Sequence, residues 1–267
     1  MQKFVKVVSA VAVATALFTG LAHADSALER IQAAGKVRIA MDLGVPPWAY
    51  KDANLENTGS EVATAKLLAE DLGVELEIVP TTGANRIPFL LSNKADIVLS
   101  TLGITEERKG IILYSIPYSG ANNVVAAPKS IEIKGFEDLS GKSIAVTRGT
   151  MLDTAVTAGA PADANIVRFE DEATTMTAVV TNQVDIIGQT ESLIGQINQQ
   201  NPSKDLESKF VLTTVYYGIA MPLGDTTTKA WLDEWVRTNL ANGKLGEIYK
   251  TYQNAEIPAE ILKGEDR

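Results

Sequence analysis

The stretch STLGITEERK at 100–109 directly follows the apolar run ADIVL and changes its chemistry at once. A segment that reads as a buried strand ends in two hydroxyl residues, a glycine and a third hydroxyl, and Arg108 follows before the chain turns apolar again. A guanidinium there suits a carboxylate, because its fork of N–H donors matches two carboxylate oxygens and such charge-assisted bonds are about twice as strong as neutral ones. The competing reading is a surface arginine beside Glu106 and Glu107 at a helix start, an arrangement of little energetic consequence.

Composition narrows what else the chain can do. There is no cysteine, and the only histidine is His23. His23 belongs to an N-terminal stretch in which Lys3 and Lys6, the apolar run VVSAVAVATALF and the small-residue site AHA follow in the order of a secretory signal peptide. Residues 1–24 are therefore expected to be removed, leaving an exported chain that starts at Asp25. No cysteine follows the apolar run, so an acyl-anchored route is closed. Without His or Cys, a Ser-His-Asp triad, a cysteine nucleophile and a His- or thiolate-bound metal are excluded. Carboxylate chemistry or plain binding remains, and neither cofactor nor metal is called for. Burial alone must hold the fold, since no disulfide can form. Losing Lys3 and Lys6 takes the formal net charge from −9 to −11, which argues against nucleic acid or an anionic membrane face as partner.

Strand and helix signals alternate and then repeat. KVRIAMD spaces Val37, Ile39 and Met41 at period two, and SEVATAKLLAEDLG reads as a helix capped by Ser60 and stopped by Gly73. VELEIV, NRIPFLLSN and ADIVLS continue as strand, short helix and strand; SIAVTRG, TMLDTAVTAG, NIVRF, EDEATTMTAVVTNQ and VDIIGQ repeat the order. The economical fold is two similar α/β lobes, each a mostly parallel sheet covered on both faces, with a ligand beyond the carboxyl ends of the strands. Two strand-like runs, KFVLTT and YYGIAMP, and two helices close the chain. Trp231 and Trp235, four apart on the first of these helices, are expected to line its inward face as core.

The order and spacing of KVRIAMDLGVPPWAYKD, SEVATAKLLAEDLG, ANRIPFLLSNKADIVLSTLGITEERK, FEDLSGKSIAVTRGT, VDIIGQTES and GIAMPLGD with NGKLGEIYKTY cover essentially the whole mature chain. They resemble the extracellular solute-binding proteins of family 3, the amino-acid receptors of ABC importers. The resemblance implies a two-lobe periplasmic binding protein of type II, with lobe one at 25–119 and 216–267, lobe two at 120–215, and hinge strands near 119–123 and 214–218. It implies that Thr101, Gly103 and Arg108 hold the ligand's α-carboxylate, Gly103 by its backbone N–H alone where other members carry a serine. RGT at 148–150 then supplies the second lobe's share: Arg148, a glycine that lets the chain approach, and the N–H groups of Thr150 and Met151 at a positive helix end. Trp48, after the stiffening Pro46 and Pro47, falls where the family sets an aromatic wall; Tyr50 nearby reads equally as packing.

Two positions depart from the family's pattern. Many members accept the α-ammonium on an aspartate where this chain has Thr190, so Glu191 or Asp42 stands as the alternative acceptor. ANRIP resembles the glutamate and aspartate receptors, in which Arg86 would face the ligand's side chain, yet Asp42 stands where they carry a second arginine. One acid beside one base suits a neutral polar side chain; alternatively Arg86 pairs with Asp42 and closes the pocket floor. The implied function is a monomeric, non-catalytic receptor that hands a polar amino acid to a membrane ABC permease without inserting into the membrane itself. The alternative is an enzyme resembling cyclohexadienyl dehydratases, in which a carboxylic acid protonates a prephenate- or arogenate-like substrate. A sensory ectodomain would call for a second apolar membrane segment, which the sequence lacks.

Overall fold

In the computed structural model, which describes residues 25–253, 256–257 and 259–266, the strand Lys36–Asp42 is buried on both faces rather than one. It pairs in parallel with Glu75–Thr81 on one side and with Ile97–Val98 on the other, so it occupies the middle of its sheet. Helices Ala27–Ala34, Ser60–Leu72 and Arg86–Leu91 pack against it. A strand covered from both sides needs apolar residues in succession, which is why Ile39, Ala40 and Met41 are all fully buried.

The chain forms two such sheets. The first runs Glu75–Thr81, Lys36–Asp42, Ile97–Val98, Ala220–Pro222 and Ile112–Tyr114, the last three joined in antiparallel fashion. The second runs Asn165–Phe169, Ser143–Thr147, Ile186–Thr190, Ser119–Pro128 and Leu206–Tyr217, parallel over its first three strands and antiparallel thereafter. Both sheets therefore share one plan, in which the first strand of a βαβαβ unit lies between the second and the third.

The chain passes from the first sheet to the second at Ser119 and returns at Tyr217, and these two residues pair with each other. The expected strands KFVLTT and YYGIAMP differ from what forms. Leu206–Tyr217 is one strand of 12 residues, because its ladder with Ser119–Pro128 continues to the end with register slips between Ser208 and Phe210 and between Val211 and Thr213. Only Ala220–Pro222 crosses into the first sheet. Trp235 is buried as expected and its indole N–H donates to Asp71 at 2.7 Å, whereas Trp231 is half-buried. No helix among the described residues is long and apolar enough to cross a membrane.

Ser60 does not cap its helix. Gly59, at φ 115°, holds that place, and the first N–H groups of the helix find backbone acceptors: Ser60 donates to the Pro47 carbonyl at 3.1 Å and Glu61 to the Trp48 carbonyl at 2.8 Å. The Ser60 hydroxyl is thereby free to accept from Gln253 at 3.0 Å. The loop that carries Trp48 is thus fastened to the start of helix Ser60–Leu72, and only glycine fits between them. A Cβ on Gly59 would lie 2.3 Å from the Trp48 carbonyl oxygen, a backbone atom that cannot swing away. Gly59→Ala is expected to lower stability by at least about 2 kcal/mol. Urea unfolding curves measure this directly, and an unchanged midpoint would refute the close approach.

Candidate ligand-binding site

Four strands end at the same place. Residues at or just beyond the carboxyl ends of Lys36–Asp42, Ile97–Val98, Ser143–Thr147 and Ile186–Thr190, namely Val45, Thr101, Thr150 and Thr190, line one gap between the two sheets, where ligands of such sheets bind. The turn after Ile97–Val98 is the most constrained part of that gap. Thr101 sits at φ 45°, a left-handed conformation that is costly for a β-branched residue. Its N–H donates to Glu61 Oε1 at 3.0 Å, while Arg86 Nη1 donates to the Ser100 carbonyl at 2.6 Å and to the Thr101 carbonyl at 3.3 Å. An acid below and a base beside it hold the strained turn in one shape.

The acid is enclosed. Glu61 is 1% exposed and also accepts from the Tyr118 hydroxyl at 2.7 Å on either oxygen. Burial pushes its carboxyl up to about 7, against the opposing pull of the Tyr118 hydroxyl, the Thr101 N–H and the Arg86 charge. Arg86 is equally enclosed, and its donors go to the carbonyls of Gly83, Ser100 and Thr101 rather than to Asp42. Its charge still reaches Asp42, whose carboxyl burial pushes up while the Gly44 N–H and Arg86 pull it down.

Arg108 ties the two walls together. Nη1 donates to the Gly103 carbonyl at 3.0 Å and Nη2 to the Gly149 carbonyl, across the gap, at 3.3 Å; the Tyr114 hydroxyl shares the Gly103 carbonyl. Burial and the nearby Arg86 charge lower the pKa of Arg108. Opposite, Thr150 caps helix Met151–Gly159 by accepting from the Asp153 N–H, so the positive end of that helix opens on the gap. Gly103 permits the closest contact between the walls: a Cβ there would lie 2.1 Å from Met151 Sδ.

These residues enclose one cavity. Arg86, Thr101, Gly103 and Arg108 line it from the first lobe, Thr150, Met151, Glu172, Gln189 and Thr190 from the second, and Asn123, Val215 and Tyr217 from the connecting strands. The room left between the walls is about 40 Å³, enough for a few water molecules. Seven of the residues singled out in the sequence meet here, and four do not. Asp42 lies below the lining, its Oδ1 accepting from the Gly44 N–H at 3.0 Å. Arg148 faces solvent and pairs with Glu170. Glu191 is exposed and accepts from Asn122 at 3.2 Å, since it begins helix Glu191–Gln200 on the far side of Thr190. Trp48 packs in the core, edge-on to Tyr217 and Tyr249, and donates its indole N–H to Ser192 at 3.1 Å. The aromatic ring at the cavity is Tyr217, with Trp48 behind it.

Sequence reasoning missed two enclosed acids, Glu61 and Glu172. Each stands in the first turn of a helix, where an acid is ordinary for reasons of the helix dipole alone. Tyr217 had a visible signal, because it falls within the expected return crossing at 214–218.

With this geometry in hand, likeness to known proteins is informative. Residues 37–255 match the bacterial extracellular solute-binding proteins, family 3. The chain belongs to that family. Among its relatives is the ABC transporter glutamine-binding protein GlnH of Bacillus subtilis (strain 168), 29% identical over 209 residues that cover 77% of this chain and 76% of the relative. Among solved structures, a mutant of ArgBP from T. maritima superposes with a TM-score of 0.80 at 30% identity, covering 86% of this chain and all of that one. The ancestral amino acid-binding protein AncCDT-1, a precursor of cyclohexadienyl dehydratase, superposes with a TM-score of 0.76 at 31% identity, covering 85% of this chain and 99% of that one. The solute-binding protein described here is thus a two-lobed α/β receptor fold with its cleft at the strand ends.

The state of Glu61 sets a pH dependence of known sign. Its carboxyl titrates near 7 when folded, against an ordinary value of 4.5. Between those values the unfolded chain has released a proton that the folded chain retains, so stability falls as pH rises from about 4.5 to about 7, by up to about 3 kcal/mol from this group. Glu61→Gln removes that component. Urea unfolding at pH 5 and pH 8 is expected to show a larger loss on raising the pH in the parent than in the variant; equal losses would contradict the assignment.

Proposed function

We propose that this chain is a periplasmic receptor that holds a polar amino acid between its two lobes and delivers it to an ABC permease, as a monomer and without catalysis. One observation carries the reading: the half-buried guanidinium of Arg108 and the first turn of helix Met151–Gly159 meet at a single cavity lined from both sheets. A guanidinium and a helix N-terminus gathered in one place call for an anion, and an α-carboxylate supplies it. In this assignment Thr101, Gly103 and Arg108 take the carboxylate from one side, and Thr150 and Met151 from the other. The glutamine-binding and arginine-binding relatives support an amino acid as the ligand class. The basic, apolar and AHA order read in residues 1–24, which lie outside the described residues, supports the periplasm.

Entry of a ligand requires movement. A gap of about 40 Å³ is too small for an amino acid, so the walls must part, which breaks the Arg108 to Gly149 and Trp48 to Ser192 contacts. The two crossings, at Ser119 and Tyr217, are the natural hinge between a lobe of 25–119 with 216–267 and a lobe of 120–215. A second reading has its own support. The buried carboxyls of Glu61 and Glu172 are both shifted upward by burial, as a proton donor requires, and a precursor of a dehydratase is a structural neighbour.

A thermal-shift screen of the twenty amino acids, repeated with Arg108→Ala and with prephenate and arogenate as controls, tests both. Some polar amino acid is expected to raise the melting temperature of the parent, since ligand at 100 times its dissociation constant adds about 2.7 kcal/mol. Arg108→Ala is expected to weaken that binding by roughly thirty-fold to several thousand-fold. Undiminished binding by the variant would remove the clamp, and release of phenylpyruvate or phenylalanine would establish the enzyme instead.

A further inference from the structure

Among the residues that line the cavity, one is an acid. Glu172 begins helix Glu172–Val180, lines the cavity and is 6% exposed. Its Oε2 accepts two short hydrogen bonds, from Thr147 Oγ1 and Gln189 Nε2, both at 2.7 Å. Its Oε1 accepts none from any described residue. Gln189 cannot turn to change this, because its own oxygen is engaged by the Thr190 N–H at 2.8 Å. The acid is therefore held in one orientation, with one oxygen left over.

The other acids of the region are poorly placed. Glu191 is exposed and lies outside the cavity, and Asp42 is buried beneath it with Oδ1 bonded to Gly44. Thr190 contributes only a hydroxyl, which already lies 3.3 Å from Ser192 Oγ. Nor does a protein cation satisfy Glu172, since the guanidinium groups of Arg86 and Arg108 spend their hydrogen bonds on backbone carbonyls. A buried carboxylate with a free oxygen and no bonded cation is unfavourable unless a cation arrives with the ligand.

We infer that Glu172 is the residue that receives the ligand's cationic nitrogen, in place of Thr190, Glu191 or Asp42. The inference rests on the receptor reading and adds to it the polarity of the cleft. Burial and the charge of Asp42 push the Glu172 carboxyl up, against Thr147, Gln189 and Arg86, so an arriving ammonium stabilises the ionised form. With Asp42 adding its field, this end of the cleft selects amino acids without a second carboxylate.

The test begins with the parent. Thermal shift against the twenty amino acids identifies those that bind, and calorimetry on them follows with parent and Glu172→Gln. The glutamine oxygen can still accept from Thr147 and Gln189, which turns its NH₂ toward the cavity and replaces an acceptor by a donor. Every amino acid that the parent binds is expected to lose roughly thirty-fold or more in the variant, with the unligated melting temperature little changed. Equal affinity overturns the inference, as does a parent that prefers glutamate or aspartate. Should Glu172→Gln fail to fold, Glu172→Asp keeps the charge and withdraws it by one methylene; a smaller loss is expected and none would overturn the assignment. A parent that binds none of the twenty overturns the receptor reading itself, before any variant is made.

Discussion

A threonine forced into a left-handed turn needs something to hold it there, and here a carboxyl group removed from water does so. Glu61 receives the Thr101 N–H from below while Arg86 grips the Ser100 and Thr101 carbonyls from the side. Strain of about 1–3 kcal/mol at such a residue persists only where its surroundings leave no alternative. The carboxyl is in turn placed by its helix, whose opening N–H groups are received by the Pro47 and Trp48 carbonyls. Loop, helix and turn are therefore one mechanical unit, and Thr101 and Gly103 come to the cleft as its rigid edge. A site built this way orders little on binding.

The charges of the cleft are sorted rather than mixed. Arg108 and the start of helix Met151–Gly159 make one end positive, and Arg108 lies near enough to Arg86 to feel its repulsion. Around Arg86 itself gather Asp42, Glu61 and Glu172, each of which feels its field. One base among three buried acids leaves that end acidic to whatever extent the acids ionise. A zwitterion laid along the cleft meets opposite signs at its two ends, and an ion of either single sign meets a like charge at one of them.

Much of this was legible in the residues and some was not. Period and punctuation located the parallel strands of both sheets and the helices between them, because strands covered on both faces and glycine-stopped helices leave strong local signals; helices Ala27–Ala34 and Glu191–Gln200 and strands Ile112–Tyr114 and Ser119–Pro128 were not read. Ser60 misled, since a hydroxyl before a helix is the usual cap and nothing local reveals that two loop carbonyls have taken its work. Trp48 misled for a related reason: a ring after two prolines is positioned by its loop, but whether it faces the cleft or the core depends on Tyr217 and Tyr249, which are far away in sequence. Arg108 stood out by its place after a buried strand, whereas Arg86, Thr101, Gly103, Thr150, Met151 and Thr190, which line the same cavity, came from the resemblance to the family. Glu61 and Glu172 escaped because acids in a first helical turn look like ordinary helix residues.

The crossing at Ser119 and Tyr217 also fixes an order of events. Every strand of the second sheet lies between those residues, so that lobe can assemble as soon as Tyr217 is available. The first sheet cannot, because Ala220 must reach back to pair with Val98 and with Tyr114. Closing a loop of about 120 residues costs on the order of 4 kcal/mol in chain entropy if the intervening segment is loose, and much less once that segment has folded and brought its ends together. A chain delivered from its N-terminus thus leaves its earliest strands waiting with an unpaired edge at Val98, until a lobe made later in the sequence delivers the strand that covers it.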